Sequence, residues 1–315
     1  MRTPGPPPPS LLRVAVRQEG LLGSRQCDAA GVTAQRRETL RCAGVLVPVV
    51  RGVHDAAALL PELDRGPDHV RRRAAWLALL ALGPDRAVAT GLCALALHGV
   101  HGLPRRIRPE AALPDGSHRR PGGGILVRGV DPQPVVRVGG ARACTVAQAL
   151  ADAVGGLPRD SAVAVLDSAV HLGLLPCADL ALVRSLLAGR RGCRRAAGWW
   201  DLVDGRAESP LETRARLQCV DAGVPPHDVQ VPVRDRSGRV VARGDLGWWL
   251  ATRRLLVVEI DGAGPHGTPQ ALYRDRTRQN AVLATGALLL RFTAADVDRG
   301  LVPVEVRRHL TASAP

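Results

Sequence analysis

Apolar and polar positions repeat with two different periods along the 315 residues, and the places where the period changes divide the chain into elements. Near the start, "SLLRVAVRQEG" (10–20) and "SRQCDAAG" (24–31) carry the helical period, each stopped by a glycine, with Ser24 placed to cap the second. "TAQRRETLRCAG" (33–44) is next, with Thr33 as cap and Gly44 as stop, and then comes the β-branched run "VLVPVVRGVH" (45–54). Three short helices and a hairpin are the element order of a winged helix-turn-helix. Residues 1–9, rich in proline, predict a disordered tail.

Residues 56–202 are less legible and predict a mixed α/β segment. "HVRRRAAWLALLAL" (69–82) and "ATGLCALALHGV" (89–100) read as helices, 125–138 as short strands with turns, and 145–156 and 159–173 as further helices. His98 and His101 are spaced like a metal pair, yet no third ligand is evident, and packing at a helix end accounts for them.

From residue 203 the pattern sharpens. "SPLETRARLQCVDAG" (209–223) opens a helix with Ser209 as cap, Pro210 at the first position and Glu212 completing a capping box. Strands are predicted at 228–234, 240–250 and 255–261, a helix at 269–285 and a strand at 287–292. The chain as a whole is expected to be α/β, α+β overall: a winged helix-turn-helix over 10–55, a mixed α/β segment over 56–202, and an αβββαβ core over 203–315.

Composition adds a partner. Net charge is +14 from 43 basic and 29 acidic residues, which suits a polyanion such as double-stranded DNA. All the basic residues are arginine; an Ala-, Gly- and Pro-rich GC bias explains that choice but not the excess of charge. In the third helix, Gln35, Arg36, Arg37, Thr39 and Arg41 are of the types that reach base edges and phosphates in a major groove, with Arg51 on the wing behind them. The same side chains would also make an ordinary solvated face. The seven cysteines contain no CxxC pair and predict buried free thiols. No run of about eighteen apolar residues and no apolar leader occurs, so a cytoplasmic protein without a membrane partner is expected.

Candidate chemistry lies in "LVVEIDGAGPHG" (256–267). Residues two apart on a strand share a face, which sets Glu259 beside Asp261. If "ATRR" (251–254) is a hairpin turn, Leu250 pairs with Arg254, and counting back sets Asp245 opposite Glu259. Asp245, Glu259 and Asp261 would then form an oxygen-rich pocket suited to Mg2+ or Mn2+. The alternative is that the strand runs out into a solvated Asp-Gly turn. Asp275 and Arg278, three apart on the next helix, would make a surface ion pair.

Residues 203–315 resemble the Vsr-related endonuclease-like domains of the PD-(D/E)XK superfamily in "SPLETRARL", "RGDLGWW", "LLVVEIDGAGPHG" and "YRDRTRQNAVLATGALLLRFTAADV", and in the order of the four. "RQEGLLGSRQCDAAGVTAQRRETLRCAGVLVPVVRGVHD" resembles the winged-helix domain of AbiEi-type antitoxins, and "ATGLCALALHGVHGLP" looks like part of the segment C-terminal to that domain in such proteins. These resemblances imply a DNA-binding protein with a metal-dependent phosphodiesterase fold. Asp245 and Glu259 match the two acidic positions, and would hold a divalent ion that polarises the scissile phosphate and activates water. Glu212 joins them as a candidate catalytic carboxylate. The motif's lysine is absent, with Asp261 in its place; His266 would serve as the base, or Arg278 would help with phosphate charge, or cleavage is absent. The alternative to an endonuclease is a non-catalytic antitoxin-like regulator that uses the nuclease fold only to hold DNA, with a toxin or defence-system partner in either case.

Overall fold

A computed structural model describes residues 5–114, 116, 122–129, 131–262 and 269–313; for residues 269–275 and 277 it describes the backbone alone. The protein is mixed α/β, α+β overall. Two compact units divide the chain, one of residues Met1–Leu157 with Leu174–Ala196, the other of Pro158–Gly173 with Ala197–Pro315.

The first unit opens with α1 (Pro9–Arg17), β1 (Leu21–Gly23), α2 (Ser24–Ala29), α3 (Ala34–Cys42), β2 (Val47–Val50) and β3 (Val53–Asp55). Its first sheet has the order β1-β3-β2, antiparallel throughout. Leu11, Leu22, Cys27, Val32, Leu40 and Leu46 close the core that α1 to α3 share. Thr33 caps α3 as its sequence predicts, accepting the Arg36 N–H at 3.3 Å. The cap of α2 is Gly23, not Ser24: the Gly23 N–H donates to Gln26 Oε1 at 2.9 Å, and the Ser24 hydroxyl pairs with His54 Nε2 at 3.1 Å. The chain continues through α4 (Pro67–Leu82), β4 (Val88–Ala89), α5 (Gly91–His98), β5 (Glu110–Ala112), β6 (Leu126–Arg128), β7 (Val135–Val138), β8 (Ala141–Cys144) and α6 (Val146–Val154). These strands form a second sheet in the order β6-β5-β4-β8-β7. His98 Nε2 donates to the Cys144 carbonyl at 2.9 Å, the helix-end packing its spacing allowed. Next, α7 (Arg159–His171) belongs to the second unit and α8 (Leu180–Leu187) to the first.

The second unit continues with α9 (Pro210–Asp221), β9 (Asp228–Arg234), β10 (Val240–Trp249), β11 (Leu255–Asp261), α10 (Pro269–Ala284), β12 (Leu288–Thr293), α11 (Ala294–Asp298) and α12 (Leu301–Ala312). Its sheet runs β12-β11-β10-β9, with β12 parallel to β11 and the rest antiparallel. One face packs Leu246, Trp248, Leu250, Leu256, Val258 and Ile260 against residues of α9, α11 and α12, while the other packs Val231, Val233, Leu255 and Val257 against Val282 of α10. Burying this much aliphatic surface on both faces is what drives the assembly.

A polar brace ties α7 to α9. The buried Asp167 carboxylate accepts from Thr213 Oγ1 (2.8 Å), Arg216 Nη2 (2.9 Å) and the Asp204 N–H (2.7 Å). Burial pushes its pKa up to about 6 in spite of the Arg216 charge.

Candidate functional site

The site begins with strand register. Leu246 pairs with Val258 and Trp249 with Leu255, and the Leu250 N–H donates to the Arg254 carbonyl at 2.9 Å, so the same count places Asp245 across from Glu259. The paired ladder between β10 and β11 ends at Leu246, and one residue on, Asp245 Oδ2 accepts the Ile260 N–H at 2.6 Å. A side chain thus takes over where the backbone ladder stops.

Both neighbouring strands change face at this level. Val229 packs on the α9 side and Val231 on the α10 side, although regular alternation would put them together. Between them, Gln230 has φ 56°, a left-handed conformation that costs a non-glycine residue about 1 kcal/mol or more. On β10, Ala242 packs on the α10 side and Leu246 on the other, with Asp245 in the crossover. The result is that Gln230 and Asp245, adjacent by register, occupy a kink rather than a flat sheet.

Glu212 reaches the same place from the first turn of α9. Its N–H is capped by Ser209 Oγ at 3.2 Å, as predicted, but its carboxylate leaves the cap: Oε2 accepts from the Glu208 N–H (2.9 Å) and from the Gln230 amide (3.0 Å). Glu259 is buried, with Oε1 2.7 Å from Arg278 Nη2 and Oε2 2.8 Å from Arg291 Nε. Arg291 is its neighbour in register on β12. Burial, then the charges of Glu212 and Glu259, push the Asp245 pKa up to about 6, against the Ile260 hydrogen bond and the Arg278 charge. A cavity of about 360 Å3 opens beside these groups, lined by Glu208, Gln230, Arg243, Asp245 and Arg278. Arg243 forms an ion pair with Glu208, and its carbonyl accepts from Arg278 Nη2 at 2.5 Å.

Of the sequence candidates, Glu212, Asp245, Glu259 and Arg278 therefore converge. Asp261 stands exposed at the end of β11, and His266 lies outside the described residues, as does the Asp275 side chain. Sequence reasoning misses Gln230, Arg243 and Arg291; only the pairing of β9 and β12 with their neighbours brings them in. The donor set is hard oxygen and chemically suited to Mg2+ or Mn2+. As placed, however, it does not fit an ion: both Glu259 oxygens are held by guanidinium groups, and among the described residues no group of three or more His, Cys, Asp or Glu side chains is gathered to hold a metal.

The basic helix α3 of the first unit divides its candidates differently. Arg37 turns inward, pairing with Asp28 and donating to the Val32 carbonyl at 2.8 Å, so it braces α3 against α2. Arg41 forks onto Glu38, with Nε–Oε2 at 2.8 Å, which neutralises part of the expected basic surface. Gln35, Arg36 and Thr39 are exposed, although Arg36 Nη2 also donates to the Pro6 carbonyl at 3.1 Å and Thr39 Oγ1 to the Gln35 carbonyl at 3.1 Å. Arg51 is exposed too, and with Ser24, Arg25 and Arg86 it lines a cavity of about 800 Å3. Among the described residues no helix is long and apolar enough to cross a membrane.

Two Mycobacterium tuberculosis proteins, Uncharacterized protein MT2308 and Uncharacterized protein Rv2248, are each 30% identical to the chain over 200 residues, which cover 63% of this chain and 72% of the relative. The chain belongs to the family of these two mycobacterial proteins. No family profile matches it, and no solved structure does so at a significant level. Neither name in this mycobacterial family states an activity, so the side chains themselves carry the functional argument.

Proposed function

We propose that the chain is a cytoplasmic protein that binds double-stranded DNA, with a winged helix-turn-helix of the AbiEi antitoxin kind over residues 10–55 and a DNA endonuclease domain of the Vsr-related PD-(D/E)XK kind over 203–315. The observation that carries this reading is the meeting of Asp245 with Glu259 where β10 and β11 part, with Glu212 close enough to raise the Asp245 pKa. A carboxylate with a raised pKa beside an open cavity supports a site that handles protons and charge. In this role Arg243 and Arg278, at the cavity wall, receive a phosphodiester, and Asp245 and Glu259 are the carboxylates on which its hydrolysis depends. Mg2+ or Mn2+ is proposed as cofactor of the DNA-bound form only, since the free arrangement has no place for it.

A second reading has its own support. With Glu259 locked between Arg278 and Arg291, and no lysine anywhere in the chain, the domain would hold DNA without cutting it, as an antitoxin-like regulator with a toxin or defence-system partner. Incubating the purified protein with supercoiled plasmid and Mg2+ or Mn2+, beside a Glu259→Ala control, separates the two. Nicking by the wild type alone supports the endonuclease, while DNA binding without nicking in either ion supports the regulator.

A further inference from the structure

The cavity of about 800 Å3 in the first unit lies where the start of α2, the wing turn and the C-terminal end of α4 with its following turn come together, and each segment adds one arginine: Arg25, Arg51 and Arg86. The backbone fixes this meeting. Gly23 pairs with Val53 in the sheet and the Ser24 N–H donates to the Gly52 carbonyl at 2.8 Å, so Arg25 and Arg51 rise from one scaffold. Among the described residues neither Arg25 nor Arg51 has an ion-pair partner, in contrast to Arg37 on Asp28 and Arg41 on Glu38. Against the three arginines stand Asp85 and the last carbonyls of α4, worth roughly half a negative charge, so the cavity stays positive by about 1.5 charges. Another part of its wall is apolar, from Ala29, Leu80, Leu82 and Pro84. The volume falls within the roughly 300–1,000 Å3 of small-molecule sites and is far more than a lone phosphate fills. A phosphate of duplex DNA would meet the arginines and leave the apolar wall bare, because its bases stay stacked inside the duplex.

We propose that this cavity binds a nucleoside phosphate, with its phosphate groups on Arg25, Arg51 and Arg86 and its base along the apolar wall. Arginine suits both parts, since its planar fork takes two phosphate oxygens at once and its face stacks on a ring. The ligand has a consequence for DNA. Arg51 of the wing is also a phosphate contact in the DNA-binding reading, and its guanidinium cannot serve both anions, so nucleotide and duplex oppose each other there. By reciprocity each weakens the other by the same factor, on the order of tenfold for a coupling of ordinary size. Only this opposition rests on the DNA-binding reading; the site does not.

Isothermal titration calorimetry of the full chain with ADP, GDP, CDP and UDP tests the site, beside pyrophosphate and the parent nucleosides. At least one diphosphate should bind about tenfold or more tightly than pyrophosphate and than its own nucleoside. Arg25→Gln and Arg51→Gln should each weaken that binding about tenfold or more. Ala29→Phe, which fills the cavity from an exposed position on α2, should do the same without removing charge, and thermal melting shows that each variant is folded. If no diphosphate binds more tightly than pyrophosphate, or if the folded arginine variants or folded Ala29→Phe bind like the wild type, the site is overturned. Fluorescence anisotropy of a labelled duplex, with and without saturating diphosphate, reads the opposition: duplex binding by the wild type should weaken roughly tenfold, and that of Ala29→Phe should not change. A duplex affinity indifferent to nucleotide overturns the shared use of Arg51 and leaves the site standing. A chain that binds no duplex at all sinks the DNA-binding reading and the opposition with it, but not the site.

Discussion

Asp245 accepts the Ile260 N–H through its side chain at the level where β10 and β11 stop pairing, and so the carboxylate is held inside the opening between the strands rather than at the sheet surface. That position gives it both its partial burial and its nearness to Glu212 and Glu259.

Its pKa, about 6 against an ordinary 3.8, means that the folded chain binds this proton more tightly than the unfolded one. The stabilisation from Asp245 protonation is therefore present below about pH 4 and is lost as pH rises through about 6. Asp245→Asn keeps an acceptor for Ile260 and removes the charge. It should be more stable than the wild type near pH 7, by about 1–2 kcal/mol after discounting for partial exposure, and the gap should close toward pH 4. Urea unfolding of both proteins across that range measures it; Asp167, with its own raised pKa, is common to both and cancels in the difference.

The Asp167 brace should behave in the opposite sense. Removing the carboxylate leaves the buried Arg216 charge without its partner, together with the Thr213 hydroxyl and the Asp204 N–H. Asp167→Ala should cost about 3–5 kcal/mol in chemical unfolding. A double substitution that also replaces Arg216 with Met should recover part of the loss.

In α3, stability and DNA binding should separate. Arg37→Ala gives up several hydrogen bonds inside the motif and should lower stability by about 2–3 kcal/mol. Arg36→Ala and Arg51→Ala should leave melting nearly unchanged while each reduces the slope of log K against log salt by about 0.9. Equal salt slopes for wild type and the Arg36 and Arg51 variants would show that α3 and its wing do not touch phosphates.

Features set by neighbouring residues are legible in the sequence. The caps at Thr33 and Ser209 form where the pattern puts them, and the short "ATRR" connection suffices to fix the register of β10 and β11. Strand alternation likewise separates the buried Trp248 from the exposed Trp249. What is not legible depends on distant partners. Ser24 abandons its cap for His54, thirty residues on; Arg37 finds its acceptors in α2 and the turn after it; Arg291 meets Glu259 only through a parallel pairing that no hairpin specifies. The left-handed Gln230 in the middle of a strand has no local signal at all, since glutamine is not a residue that favours it. Asp245 and Glu259 can therefore be placed from sequence, but Arg291, which holds Glu259 from β12, cannot.

The most direct measurement is the rate at which supercoiled plasmid is nicked in Mn2+ under enzyme excess, for the wild type, Asp245→Asn, Glu259→Gln and, as a surface control, Trp249→Ala. Nicking is expected from the wild type and the Trp249 variant, with a loss of about a hundredfold or more when either carboxylate is removed. No nicking by the wild type in Mn2+ or Mg2+ by a protein that binds the plasmid, or nicking that survives both carboxylate substitutions, would contradict it.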